Sequence, residues 1–287
     1  MSAPAERPLF YGLPWGQVIV VLGPPKTGKS TLAGSMAEVV PAERIALLCT
    51  KANEANSWLY RKYGLSERAE IFSDPGWDPE MGSFKADAWM RLNKRIISLT
   101  GDKAIDGIIV DSGTDSMDLQ SHDILKGMKV NDKVPGDTGD LKAKGAGDAP
   151  FQYYGKLKAG AQRFMNRLVE CAMHPGAPKF IIVPWHTQAP SEEEMTREGV
   201  SFEGRTLPMI EGKYREKLAG DCDVVVYTDI RRTVVAGKPT TQHMIQVMPS
   251  PDKHAAVRAM PMGTEQWLPN SFKALHAALT AVGGKDG

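Results

Sequence analysis

Residues Gly23 to Thr31 read GPPKTGKST and fit the pattern G-x-x-x-x-G-K-[ST], set between an apolar run, Val18 to Leu22, and a segment of helical spacing. Glycines in such a loop let successive backbone N–H groups turn inward around an anion, and a helix beginning near Lys29 aims its positive end at the same point. Gly23, Pro24, Pro25, Lys26, Thr27, Gly28, Lys29, Ser30 and Thr31 are therefore expected to cradle the phosphates of a nucleoside triphosphate. Lys29 brings a full positive charge, and Ser30 is placed to ligate magnesium. A strand, a loop and a helix in this order predict the opening of an α/β domain.

The rest of the chain keeps that rhythm. Short apolar runs at Ile45 to Cys49, Gly107 to Val110, Phe180 to Val183 and Val224 to Tyr227 read as buried parallel strands. Segments of helical period lie between or beside them: Lys29 to Val40, Glu54 to Tyr63, Ser83 to Leu99, Asp115 to Lys126 and Tyr153 to Met173. The alternation predicts a three-layer α/β fold with a mostly parallel central sheet. Ile230 to Ala236 and Gln242 to Val247, separated by Gly-Lys-Pro, predict an antiparallel hairpin at the sheet's end, and Ser271 to Val282 a closing helix. Residues 128 to 150 and 188 to 206 lack periodicity and are expected to be loops with a task. The expected organisation is a tail over 1–14, an ATPase core over 15–262, and a C-terminal helix and tail over 263–287.

Composition narrows the setting. The 287 residues, 42% of them hydrophobic, suffice for one sizeable core. Cys49, Cys171 and Cys222 are odd in number and widely spaced, which predicts neither a disulfide framework nor a zinc site and suits a reducing compartment. No apolar stretch approaches the roughly 18 residues a bilayer span needs, and the N-terminal MSAPAERP has no signal core. A cytoplasmic protein without a membrane partner is the expectation. The formal net charge of +1 gives no overall attraction to nucleic acid, so any such binding must be local.

GIIVDS, Gly107 to Ser112, is an apolar strand ending in an aspartate. Asp111 is expected to hold the magnesium shell beside the phosphate loop, in competition with a simpler role as cap of the next helix. Hydrolysis also needs a carboxylate that orients water towards the γ-phosphate, and Glu54, after the strand RIALLCT, is the candidate.

The segment from Glu54 runs E-A-N-S-W-L-Y-R-K-Y-G and resembles the RecA recombinases, whose catalytic glutamate stands after this strand and is followed by a helix ending in a Y-x-R-K-x-G run. Tyr60, Arg61, Lys62 and Gly64 give a shortened version of that run. IIVDSGTDSM is similar to the RecA strand and exit that carry the metal-binding aspartate, and FIIVPWHTQ, Phe180 to Gln188, to the strand that senses the γ-phosphate. Glu211 to Arg232 is similar to the stretch where the second DNA-binding loop gives way to a helix, a strand and an Ile-Arg-Arg run. PMIEGK, Pro208 to Lys213, fits an element of the small phage RecA-like ATPases associated with single-strand annealing. Over about residues 15 to 262 the resemblance implies a RecA-type ATPase working on ATP and magnesium as a homo-oligomer, ring or filament, in a bacterial host's cytoplasm. It implies His186 as sensor and Lys253 or Arg258, in PDKHAAVRAM, as a cation completing a neighbour's site. Single-stranded DNA is the implied partner, with a phage single-strand-binding protein as a further candidate.

From Lys126 to Arg167 nine basic residues face four aspartates, an excess of five. Phe151, Tyr153 and Tyr154 lie among them, and aromatic faces beside cations suit sequence-tolerant single-strand binding. Lys142, Lys144, Tyr153, Tyr154 and Lys156 are the expected contacts; a solvated loop leading into a helix is the competing account. The segment 188 to 206, with five glutamates against two arginines, would repel phosphates. Two other functions stay open: a nucleotide-gated assembly ATPase without DNA, and a small-molecule or nucleotide kinase.

Overall fold

The computed structural model describes residues 9–74, 76–78, 83–85, 87–126, 150–188, 207–210, 214–235, 238–248, 255–257 and 266–283. Strands β1 (Gln17–Gly23), β2 (Ile45–Cys49), β3 (Glu70–Ile71), β6 (Gly107–Asp111), β7 (Phe180–Gln188) and β9 (Val224–Val235) run parallel in the order β9-β1-β7-β6-β2-β3. Antiparallel strands β10 (Lys238–Gln246) and β12 (Trp267–Pro269) extend the sheet beyond β9. A short β4–β5 hairpin (Gly76–Asp78, Ser83–Lys85) stands apart, β8 (Leu207–Pro208) pairs with β7, and β11 (Ala256–Val257) with β9. This is the mostly parallel, three-layer α/β fold with a C-terminal antiparallel hairpin that the sequence predicts.

The apolar run of β1 reads to both faces, as a strand covered on two sides must. Val18, Val20 and Leu22 pack with helices α3 (Ala88–Leu99), α4 (Gly113–Lys126) and α5 (Pro150–Ala172). Ile19 and Val21 pack with α1 (Lys29–Gly34) and α7 (Phe272–Gly283), whose Phe272, Leu275 and Leu279 are buried in the same cluster. The remaining helices, α2 (Trp58–Lys62) and α6 (Tyr214–Lys217), are single turns. At the sheet's N-terminal edge Lys179 is fully buried, its ammonium donating to the carbonyls of Asp102, Ile105 and Ala177 at 2.7, 3.0 and 3.1 Å. Three charge-assisted bonds offset the burial of that charge and tie two connections to the strand they precede.

Several element boundaries differ from the sequence expectation. The helix expected over Glu54 to Tyr63 divides at the extended Ser57 into a 3-10 turn, Glu54–Asn56, and α2, and β10 begins at Lys238, inside the expected Gly-Lys-Pro turn. The helix expected over Ser83 to Leu99 starts only at Ala88, because Ser83–Lys85 pair as β5 and Asp74 Oδ1 accepts the N–H groups of Asp87 and Ala88 at 3.0 and 2.9 Å. The helix expected over Lys29 to Val40 tightens to a 3-10 turn at Ser35–Glu38. There Gly34 lies so close to α2 that a Cβ would meet the Leu59 side chain at 2.9 Å, and Ser35 Oγ accepts the Phe272 N–H at 2.7 Å. Val224 to Tyr227 and the first hairpin strand are one strand, β9: its first half is buried beside β1, its second projects with Arg231 and Arg232 exposed.

Candidate active site

All six parallel strands end at one edge, the place where an open α/β sheet binds its ligand. β7 lies between β1 and β6, and its ladder with β6 stops at Ile182, two residues before Pro184, which has no N–H to give. Beyond that point β7 leaves β6 and continues beside β1, so that His186 pairs with Gly23 while Asp111 ends β6 one strand away. The phosphate loop and the carboxylate strand thus flank the tip of β7.

The loop adopts the backbone its sequence demands. Gly23 has φ 155°, Lys26 φ 66° and Gly28 φ 99°, the last two in the left-handed region. Pro24 and Gly28 are half-buried, while Pro25, Lys26 and Thr31 are exposed. Lys29 is 6% exposed and donates to the carbonyls of Gly23 and Pro24 at 2.9 and 2.7 Å. Burial lowers its pKa to about 8, against the pull of Asp111. Those carbonyls hold the ammonium over the loop, where phosphates would take it up.

Asp111 is buried at 3% exposure, and its Oδ2 accepts from Ser30 Oγ and from Tyr60 OH, each at 2.8 Å. Burial raises its pKa, while the bonds from Tyr60 and Ser30 and the charge of Lys29 oppose the rise. Glu54, half-buried in a 3-10 turn after β2, accepts from the Lys51 N–H at 3.0 Å and from Thr50 Oγ1 at 3.1 Å. Burial, and then the charges of Asp111 and Asp115, hold its carboxyl well above the usual carboxylate range. Burial pushes Asp115 up too, but bonds from Lys51 and Ser112 outweigh it and the net shift is downward. One of two neighbouring acids is thereby kept protonated and the other ionised in the nucleotide-free protein.

His186 donates its backbone N–H to Thr114 Oγ1 at 2.8 Å, and its imidazole Nδ1 is buried with no partner among the described residues. Burial, then the charges of Lys29 and Lys51, lower its pKa, so the ring is neutral at pH 7 and has a nitrogen to offer. The structure therefore brings Lys29, Ser30, Asp111, Glu54 and His186 to one edge. Tyr153, half-buried, has its hydroxyl hydrogen-bonded with Ser121 Oγ; Tyr154 lies in the first turns of α5, and Lys156 is exposed on the same helix. Lys142, Lys144, Lys253, Arg258 and the 189–206 segment lie outside the described residues.

Several site residues carry no local signature. Asp115 stands one helical turn beyond Asp111 and could be found from that spacing; Lys51 and Thr50 continue the polar exit of β2. Three contacts grip the phosphate loop from the C-terminal strands. Thr228 Oγ1 meets Thr27 Oγ1 at 2.7 Å, the His243 ring nitrogen Nδ1 lies 3.0 Å from Thr27 O, and Asn270 Nδ2 donates to Gly28 O at 3.0 Å. More than 200 residues separate these partners, and no sequence window spans them.

A family model described as an AAA domain matches residues 16–258. The chain belongs to that family of P-loop ATPases. No curated protein matches the chain in sequence. Nucleotide binding and hydrolysis follow from membership, and the AAA-domain match begins one residue before β1 and ends one residue after β11. The residues also fit the magnesium ion such ATPases use: a hydroxyl and a buried carboxylate, Ser30 and Asp111, already share a hydrogen bond, and both are hard oxygen donors. Among the described residues there is no cluster of three or more His, Cys, Asp or Glu that could hold a metal ion. A magnesium ion supplies charge neutralisation to the transferring phosphoryl group. Among the described residues, no helix is long and apolar enough to cross a membrane.

Proposed function

We propose that this AAA-domain ATPase is of RecA type: a homo-oligomer that binds single-stranded DNA and couples that binding to ATP hydrolysis, in phage or prophage recombination or strand annealing in a bacterial cytoplasm. The observation that carries the reading is Glu54. It stands after β2, raised in pKa beside Asp111, across the edge from Lys29, where the RecA resemblance sets a water-orienting carboxylate. In this role Glu54 acts in its ionised form, losing its own proton to solvent as the site fills, and then takes the proton of the attacking water. Lys29 neutralises charge on the phosphates, Ser30 and Asp111 would hold magnesium, and the neutral His186 bonds a phosphate oxygen or Glu54.

Two further observations support the finer parts. β7 runs unbroken from Phe180 to Gln188 between the loop strand and the Asp111 strand, as a strand that senses the γ-phosphate and passes on into a DNA-binding loop must. α5 exposes Lys156, Lys158 and Arg163, the described part of the basic stretch that includes Lys142 and Lys144. Lys253 or Arg258 is the cation proposed to complete the neighbour's site.

Hydrolysis measured with and without single-stranded DNA, beside electron micrographs of the same samples, tests this reading. Stimulation by DNA together with rings or filaments is expected; an ATPase rate indifferent to DNA, with DNA-free assemblies governed by ATP, would replace it with nucleotide-gated assembly. Mixing an Arg258→Ala or Lys253→Ala chain with a Lys29→Ala chain should restore activity at interfaces that pair an intact loop with an intact cation. No recovery with either would argue against a shared site.

A further inference from the structure

A cleft of about 390 Å³ opens between α3, α4 and α5, and it shares no lining residue with the ATP site. Its wall on α5 carries Lys156, Arg163 and Arg167, with Gly160 between them. Spacings of seven and four residues put the three cations on one helix face, in a row about 16 Å long. Among the described residues neither Lys156 nor Arg163 has an acidic partner, and Arg167 donates to Asn93 Oδ1. The lining holds one carboxylate, Asp123, which has an interaction of its own. Three cations against one carboxylate leave the cleft with a positive excess that suits an anion.

Two features say more about the anion. Trp89 lines the cleft half-buried, held by Phe164 with ring centroids 5.3 Å apart, and so offers a fixed aromatic surface. Gln120 reaches in over Gly160, where a Cβ would meet its Nε2 at 1.8 Å, and donates to the carbonyls of Lys156 and Leu157 at 3.2 and 3.0 Å. Gln120 is 2% exposed and its Oε1 has no partner among the described residues, an acceptor in the wall of a cationic cleft. A row of cations answers phosphates, an aromatic surface answers a base, and an acceptor answers a base N–H. An acidic peptide would use only the first. The volume lies at the small end of ligand cavities and admits about one nucleotide unit.

We propose that this cleft seats one nucleotide of a single strand, its flanking phosphates on Lys156 and Arg163 and its base against Trp89. The inference rests on the single-strand reading above and gives it a place. It also gives it a path: α4 carries Asp115 in the ATP site and, five residues or about 7.5 Å further on, Gln120 in the cleft.

The test is fluorescence anisotropy of a labelled oligothymidylate with ATP and magnesium, across a salt series. Lys156→Gln with Arg163→Gln removes two exposed charges, so the fold should be kept, which thermal melting checks. Affinity should fall about tenfold or more, and the slope of log affinity against log salt should drop by about 1.4, or 0.7 per phosphate contact. Lys103→Gln with Lys273→Gln, the same charge loss at exposed positions off the cleft, should change neither. A bromodeoxyuridine strand should cross-link under ultraviolet light within the Trp89 peptide. If the double cleft variant binds with unchanged affinity and slope, or cross-links map elsewhere, the cleft assignment fails while the single-strand reading stands. A wild type that binds no oligothymidylate removes both. Oligoglutamate bound by the wild type and lost in the cleft variant, with DNA binding retained, would overturn the proposal in favour of an acidic partner.

Discussion

Replacing Glu54 by Gln separates two consequences of one carboxyl group. The amide keeps the shape of the side chain and an oxygen to accept from the Lys51 N–H and the Thr50 hydroxyl, so nucleotide binding should survive. It cannot take a proton from water, and hydrolysis should fall about a hundredfold or more, about 2.7 kcal/mol of barrier. Stability should move the opposite way. Burial, Asp111 and Asp115 raise the Glu54 pKa in the nucleotide-free protein. An acid whose folded pKa exceeds its unfolded one costs stability as pH rises through the unfolded value, about 4.3. Gln removes that cost. At pH 7 to 8 the variant should melt about 2–4 °C above wild type, on the order of 1 kcal/mol for a chain of this size. At pH 4, with Glu54 protonated in the wild type, the difference should close. Phosphate release and thermal melting at both pH values are the assays. A variant that hydrolyses like wild type would refute the catalytic role, and one that melts lower at pH 8 would refute the electrostatic argument.

The phosphate loop's grip by the C-terminal strands gives a second expectation: Asn270→Ala, which removes one hydrogen bond to Gly28 O, should raise KM for ATP about fivefold with kcat little changed. A fall in kcat alone would contradict it. Asp106 accepts two bonds from Arg44, at 2.6 and 2.7 Å, and one from Tyr11 at 2.8 Å, and the Arg44 bonds hold its pKa below the ordinary value. A depressed acid stabilises above its unfolded pKa, about 3.9, and loses that contribution as pH falls through the folded value. Asp106→Asn should therefore melt lower than wild type at pH 7, with the gap narrowing below about pH 4; a gap constant with pH would point to packing instead.

The parts of the site legible in the sequence are those whose chemistry is local. Nine consecutive residues from Gly23 to Thr31 carry the loop's glycines, lysine and hydroxyl together, and Asp111 ends a strand that apolar runs alone identify. Glu54 needed a resemblance, because a glutamate at the start of a helical turn has ordinary uses. Tyr60 lies in the quoted Y-x-R-K run, yet its bond to Asp111 depends on α2 packing against α1 at Gly34. His243 and Asn270 were beyond reach, since their partners lie 216 and 242 residues away and a hairpin strand gives no sign of what stands beside it. The same holds for β9. Thr228 reads as a break in an apolar run, but it is fully buried, donating to Leu22 O at 3.1 Å where the strand passes the loop. Polar residues inside apolar strands were misleading here because the site itself is their partner.

The central claim is that the edge holding Lys29, Ser30, Asp111 and Glu54 hydrolyses ATP. Its most direct test is release of labelled phosphate from γ-labelled ATP by the wild-type chain and Lys29→Ala, side by side, with magnesium and with matched melting curves. The wild type should turn over and the variant should not, because the charge held over Gly23 and Pro24 is the one that meets the phosphates. Equal release from both folded proteins would contradict the account.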